Sequence, residues 1–531
     1  MKPKNDSRSV QDHLPIKPSL RAYYALAVAD GILLRSAEKM TLIRATPEKS
    51  ARIQQVIALC DGQHTMAELI TNIPACRPSD VIATLRQLHT HDMLTALTKP
   101  ATQIRFANRF PPATQPPNHN LTSLLVLTVG KLGQALQTRL RHSAYRNITW
   151  QPITAQWDRA QLTQMITQYD RVIVISDGPA FLLLQAVGYV CQQVGIAWLA
   201  AWHFGDRVRV VRFPQTENAP CFDCFLLRRQ AVEQQQMAWR HFVAAVARTG
   251  WRGFVPYALT PAELDFGAGV LQLELSAWLN APEPVCGSQF VDYHLASGQH
   301  SDHPFLRVPT CPCCKQPQDA PYARRGLLAW RQTNTGRKPR DLLAYATDAL
   351  SGILTQQVTH SAELFSIPMH KVAITSTNLA VLTDHAAQKF VAQAASLDSP
   401  ALAQQRAQQQ LLKFYAVRLF DSAELHKATY HAIESDALEP RRLLHYTPAQ
   451  KRQTAFPFSA FDPDQIIEWV WGYSLKSERP LLVPAQFALY QPDATPQFDA
   501  AHMAGVGIGR TMQNAILDGL HSVVHYDALT I

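Results

Sequence analysis

The sequence predicts a multidomain chain of mixed α/β and α+β class, and three observations carry that reading. Short strands followed by three helical patterns open the chain, and buried strands alternating with helices fill its middle. Two cysteine pairs, Cys221-Phe-Asp-Cys224 and Cys311-Pro-Cys-Cys314, stand far apart within it. At 531 residues the chain exceeds one ordinary core, and its length suggests about three or four domains. A hydrophobic content of 47% with 17% charged residues is that of a folded protein rather than a disordered one.

Residues 1–19, MKPKNDSRSVQDHLPIKPS, are polar, lack the apolar segment of a signal peptide and read as a flexible N-terminus. The most apolar stretch, FLLLQAVGYVCQQVGIAWLAAW, is broken by Gln185, Gln192, Gln193 and two glycines, which suits a buried helix and strand better than a membrane span. Nine cysteines, an odd number without an export signal, fit a reducing, cytoplasmic compartment. The net charge of +9 implies an anionic partner, such as an acidic peptide, a nucleotide or nucleic acid. The basic residues are dispersed, so much of this charge is solvated surface.

Residues 20–100 form the first compact unit. LRAYYALAVADGILLRS and EKMTLIRA read as strands with turns at Asp30-Gly31 and Ala37-Glu38. Helical patterns follow Thr46-Pro47 (Ile53, Val56, Ile57, Cys60), Asp61-Gly62 (Leu69, Ile70) and Pro78-Ser79 (Val81, Ile82, Leu85, Leu88). Strands with three short helices describe a winged helix-turn-helix. Its third helix offers only Arg77 and Arg86 against Asp80 and Asp92, a poor reader of base edges, so DNA binding is the minority reading. The same shape presents a strand edge, roughly residues 40–45, to which a peptide adds a strand. Candidate peptide contacts are Leu42 and Arg44 on that strand and Leu85 and Leu88 on the third helix, although core packing explains the leucines as well.

A linker at 101–120, containing FPPATQPPNHN, separates this unit from residues 121–325. There LTSLLVLTVGKLGQALQTRLRH, RVIVISDGP and GIAWLAAWHF alternate buried strands with helices, as in a doubly wound sheet. The turn VGKLG is not a full GxGxxG, so a nucleotide site has weak support. Helix packing explains Gly130 and Gly133 equally well, and Asp177 suits a helix cap as well as a catalytic acid. Within this domain the two CxxC pairs have the pattern that closes a tetrahedron around Zn²⁺, with Cys221, Cys224, Cys311 and Cys314 as ligands and Cys313 as a spare thiol. One CxxC alone could be a redox motif, but two pairs, each beside a proline, favour a metal. Such a closed site leaves no position for water and serves structure; no catalytic residue is assigned.

Taken together, these units and the CFDCFLLRR knuckle resemble the leader-peptide-binding component of azole-forming cyclodehydratases, the ThiF-like partners of YcaO proteins also called TOMM precursor leader peptide-binding proteins. The resemblance implies that the winged helix is a RiPP recognition element, which clamps the leader of a ribosomal precursor as an added strand. It also implies that the ThiF-like domain is a zinc-bearing scaffold, related to adenylating enzymes without their catalytic equipment. Residues 330–531 are similar to a YcaO domain. YATDALSGILTQQV resembles its opening at Asp348, Gly352 and Ile353, and ALAQQRAQQQLLKFYAVR its first motif helix. IIEWVWGYSLKSERPLLVPAQFALY matches at Trp469, Gly472, Ser474, Leu475, Val483, Pro484 and Ala485, and AGVGIGRTMQNAILDGLHSVVHYDA resembles the last helix.

Departures from the family pattern are specific. Where an active member holds Mg²⁺ and ATP with glutamates, this chain has Gln410, Lys413, Asn514, Ser522 and His525; Ala504 and Tyr526 replace an Asn and an Arg. The expected domain is therefore degenerate and, ending at Ile531, partial, with Gln410 and Lys413 on an ordinary solvated helix face. ATP and Mg²⁺ are not expected on this chain. In the family reaction a Cys, Ser or Thr side chain attacks the preceding amide, the oxyanion is phosphorylated from ATP, and loss of phosphate leaves an azoline. The implied role is a scaffold that presents the precursor to a YcaO cyclodehydratase subunit. An azoline dehydrogenase and a second copy of the chain are further implied partners, and neither nucleic acid nor membrane is. One alternative is an ATP-dependent cyclodehydratase in its own right, with Glu434, Asp436 and Glu439 as a carboxylate cluster that reads better as a surface loop. A winged-helix DNA-binding regulator is the other.

Overall fold

The computed structural model of the protein describes residues 14, 17–20, 24–28, 30–35, 40–60, 64–73, 77–90, 93–95, 123–141, 147–153, 157–216, 219–233, 236–249, 259–280, 288–315, 342–364, 367–383, 389–444, 446–492, 494–509 and 511–530. The linker expected at 101–120, most of the N-terminus and the stretch 316–341 lie outside the described residues. The chain forms two compact units, Met1–Phe222 with Glu233–His303, and Asp223–Val232 with Pro304–Ile531. This division falls inside the range 121–325 that the sequence suggests as one domain, because the helix begun at the first cysteine pair goes with the C-terminal part of the chain.

In the first unit β1 (Ser19–Leu20) is followed by an antiparallel sheet of β2 (Tyr24–Val28), β3 (Gly31–Arg35) and β4 (Met40–Arg44), in that order. The helices α1 (Pro47–Leu59), α2 (Met66–Asn72) and α3 (Pro78–Thr90) come next, and β5 (Leu94–Thr95) pairs with β1. The helices begin where the sequence supplies caps. Thr46 accepts from the Lys49 amide with Pro47 opening the first turn, and Thr65 with Glu68 closes a capping box. Ile32, Leu34 and Ile43 face this helical layer and share a core with Ile53, Val56, Leu69 and Val81.

Next comes a seven-stranded sheet of β6 (Leu124–Val129), β7 (Ile148–Pro152), β8 (Arg171–Ser176), β9 (Ala197–Phe204), β10 (Arg207–Phe213), β11 (Ser288–His294) and β12 (His300–Phe305). Its order is β12-β11-β10-β9-β8-β6-β7, parallel from β7 to β9 and antiparallel from β9 to β11. α4 (Lys131–Leu140), α5 (Arg159–Ile166) and α6 (Phe181–Val194) connect the parallel strands. Every residue of β6 and β9 is buried, as a sheet covered on both faces requires. The strand order reverses between β6 and β8, which makes their carboxyl ends the topological switch point. α7 (Phe222–Val232) follows, then α8 (Gln236–Thr249), which lies against both outer strands of the β2–β4 sheet, and α9 (Pro261–Asn280), which packs on α4.

The sheet also buries charge. Arg209 and Asp292 stand opposite each other on β10 and β11, joined by two hydrogen bonds of 2.6 Å, and both are almost wholly buried. Glu274 of α9, fully buried, accepts from Arg212 at 2.5 Å and from the Tyr293 hydroxyl.

In the C-terminal unit β13 (Leu354–Leu364), β14 (Ile367–Ser376) and β15 (Val391–Ser396) form an antiparallel sheet against which α10 (Pro400–Arg418) packs. A second antiparallel sheet joins β16 (His426–Ala428), β17 (Ile467–Ser474) and β18 (Arg479–Pro484), and α11 (Met512–Thr530) follows. Trp469 is fully buried in β17, and its indole N–H donates to the Ala428 carbonyl at 3.0 Å. Among the described residues no helix is long and apolar enough to cross a membrane.

Candidate functional site

The four cysteines singled out by spacing come together. The sulfurs of Cys221, Cys224, Cys311 and Cys314 lie within 4.8 Å of one another, and among the described residues they are the one group that could hold a metal ion. Cys221 precedes α7 and Cys224 lies in its first turn, where the positive end of the helix dipole favours thiolates. The second pair sits on a turn in which the Cys311 amide donates to the Val308 carbonyl and the Lys315 amide to the Cys311 carbonyl. Cys224 and Cys314 are 3.4 Å apart at sulfur, too far for a disulfide and close to the separation of about 3.8 Å for sulfurs 2.3 Å from a tetrahedral ion. The Val308 amide donates to the Cys224 sulfur at 3.3 Å. Four soft sulfur donors, one of them with a supporting N–H bond, suit Zn²⁺, which would be held by these residues in a structural role. Beside the turn, the Lys315 ammonium pairs with Asp421 at 2.8 Å and Glu424 at 2.5 Å. The bond to Asp421, then that to Glu424, holds its pKa above the ordinary lysine value.

At the switch point the anion-binding end of α4 is already filled. Asp177, just past β8, accepts from the Lys131 amide at 2.5 Å and the Leu132 amide at 2.7 Å, so it caps α4. In nucleotide-binding sheets those amides face a phosphate, and here a fixed carboxylate takes the place. Gly130, at φ 102°, is required because a Cβ there would come within 2.1 Å of the Asp177 carboxylate. Gly133 lets α4 approach Thr128 of β6.

β4 is an outer strand of its sheet, and alternation turns Leu42 and Arg44 away from the helical core. Leu42 is half-buried and Arg44 exposed. The expectation for Leu85 and Leu88 needs correction. Both are fully buried in the core with Ile32, Leu34 and Ile43, because their helical spacing turns them onto the sheet, so they support α3 rather than line its surface.

Of the segments that resemble YcaO in sequence, the one at Asp348 is a tight turn, whereas α11 is largely exposed. Asp348 accepts from the Leu350 amide at 2.7 Å, the Ser351 amide at 2.9 Å and the Ser351 hydroxyl, and a Cβ on Gly352 would strike the Asp348 backbone. The glycine-rich segment before α11 lies on that helix, and the Ile508 amide donates to Asp518 at 2.9 Å. The same Asp518 carboxylate takes the Lys413 ammonium of α10 at 2.6 Å. Burial pushes the Asp518 carboxyl up, but the Lys413 bond and the Ile508 amide outweigh it and leave its pKa below the usual carboxylate value.

Lys413 is thus not on a solvated face as the sequence suggests. Its side chain is only 20% exposed, whereas Gln410, Asn514 and His525 are exposed. This set does not fit Mg²⁺: the Asp518 carboxylate is occupied by an ammonium and an amide, and amides and imidazoles supply little charge. Asp518, within AILDGL, carries no sequence signal of its own, since only the approach of Lys413 from α10 reveals its partner.

No curated protein matches the chain. Among solved structures, a heterocyclase in complex with substrate and cofactor superposes with a TM-score of 0.48 and 16% identity, over 96% of this chain and 70% of the other. The heterocyclase TruD gives 0.42 and 14% over 96% and 69%. E. coli MccB gives 0.28 and 11% over 56% and 97%. Residues 408–531, from within α10 to the last residue of the sequence, match the family described as YcaO cyclodehydratase, ATP- and Mg²⁺-binding.

Proposed function

We propose that the chain is the leader-binding scaffold of an azoline-forming cyclodehydratase, acting on a ribosomal precursor peptide beside an ATP-using YcaO partner in the cytoplasm. The β2–β4 sheet with α1–α3 is read as a winged-helix recognition element, and the β6–β12 sheet as a ThiF-like scaffold. The leader adds along β4, contacting Leu42 and Arg44, so that binding raises the effective concentration of the core peptide at the partner's active site. Supporting this reading above all is the ion pair of Lys413 with Asp518, in a stretch that matches an ATP- and Mg²⁺-binding family. An ammonium held there competes with a divalent cation for the same carboxylate. Asp177 on α4 argues in the same direction for the other nucleotide-type site.

A second reading, catalysis by this chain itself, is favoured by the family match over residues 408–531. One experiment separates the two. The purified full chain is given a candidate precursor, ATP and Mg²⁺, with and without a YcaO partner, while ATP turnover and the loss of water from the peptide are followed. The scaffold reading expects neither without the partner; both in the chain alone would sink it. Titration of a labelled leader should show saturable binding that Arg44→Glu weakens by at least about tenfold, worth about 1.4 kcal/mol.

A further inference from the structure

Arg228 lies on α7 one turn beyond Cys224 and is 1% exposed. Its Nε donates to the Leu306 carbonyl at 3.1 Å. Its Nη2 donates to the Arg307 carbonyl at 3.0 Å and to the Tyr415 hydroxyl at 2.7 Å, with the guanidinium 5.4 Å from the Tyr415 ring centre. Among the described residues Nη1 has no hydrogen-bond partner, and none of the bonds that this guanidinium donates goes to a carboxylate. Arginine stays protonated, so a full positive charge is buried on neutral groups alone, which is costly unless a negative charge stands nearby.

A source for that charge stands beside Arg228 on the same helix. Residues four apart on a helix share a face, which places Cys224 beside Arg228. The Cys224 thiol is also near enough to the Tyr415 hydroxyl to act on it electrostatically. The carbonyls that Arg228 holds, of Leu306 and Arg307, immediately precede Val308, whose amide bonds the Cys224 sulfur. A divalent ion held by four thiolates leaves an excess of two negative charges. We infer that Arg228 is the counter-cation of the four-thiolate metal centre, acting as a positioning residue that ligates nothing. The inference rests on the zinc assignment to Cys221, Cys224, Cys311 and Cys314.

The test uses the full chain and two variants. Arg228→Gln removes the charge and keeps N–H donors; Arg228→Lys keeps the charge and loses the fork. Zinc affinity is measured by chelator competition, and Co²⁺ substitution reads the thiolate-to-metal charge-transfer band. Arg228→Gln should bind zinc about 10–100-fold more weakly. Its band should move to longer wavelength, because loss of a nearby positive charge raises the energy of the sulfur electrons. Arg228→Lys should recover the affinity to within a few-fold and return the band. Wild-type affinity and band in Arg228→Gln would overturn the proposal, as would equal losses in both variants. Should Arg228→Gln not fold, Arg228→Lys decides: a tenfold loss overturns the proposal and retention supports it. Wild-type protein without stoichiometric zinc or cobalt binding would instead refute the metal assignment, and the proposal with it.

Discussion

Each of the four cysteines offers one sulfur, so replacing any one would open the tetrahedron in which they could hold a metal. Cys221→Ser or Cys314→Ser should lose stoichiometric zinc and melt at lower temperature, as elemental analysis and calorimetry would show. The Lys413–Asp518 pair is partly solvated, so a double-mutant cycle with Lys413→Met and Asp518→Asn should give a coupling of about 1 kcal/mol. Arg209 and Asp292 are different because both are buried. Burial pushes the Asp292 carboxyl up, yet Arg209 overrides it and holds the pKa below the ordinary carboxylate value. A pKa lowered by folding gives stability that is present above the unfolded value, about 3.9, and lost as pH falls through the folded one. Asp292→Asn should cost about 3–5 kcal/mol at neutral pH by leaving Arg209 uncompensated. In acid titrations followed by denaturant unfolding, the variant should lose less stability between about pH 5 and pH 2 than the wild type.

At the scale of elements, β6, α4 and β8 show how a nucleotide-type frame can carry no open anion site. The strands and the helix were readable from their apolar runs and from the turn at Gly130. The sequence left Asp177 undecided between cap and catalyst, since only the adjacency of β6 and β8 carries it to α4. Asp177→Ala should cost about 1–2 kcal/mol through two unbonded amides, checked by urea unfolding. On α3 the periodicity that marks Leu85 and Leu88 as apolar cannot say which layer covers them, and the β2–β4 sheet does.

For the whole molecule, metal removal should act on particular segments. Under chelation, amide exchange should rise first at 223–232 and 304–315, while β6 and β8, buried along almost their full length, keep their protection. Uniform loss of protection would instead mean that the four cysteines hold up more than their own surroundings. By itself the sequence determined the strand and helix alternation, the helix start at Thr46-Pro47, and the two cysteine pairs, because spacing of 2, 3.6 and CxxC is local chemistry. Tertiary structure alone decided the Asp177 cap on α4, the Arg209–Asp292 pair, the Lys413 ammonium on Asp518 and the buried Arg228. Asp177 lies 46 positions from Lys131, and Arg209 lies 83 from Asp292. Whether such charges meet depends on which elements pack together, and no local period records that.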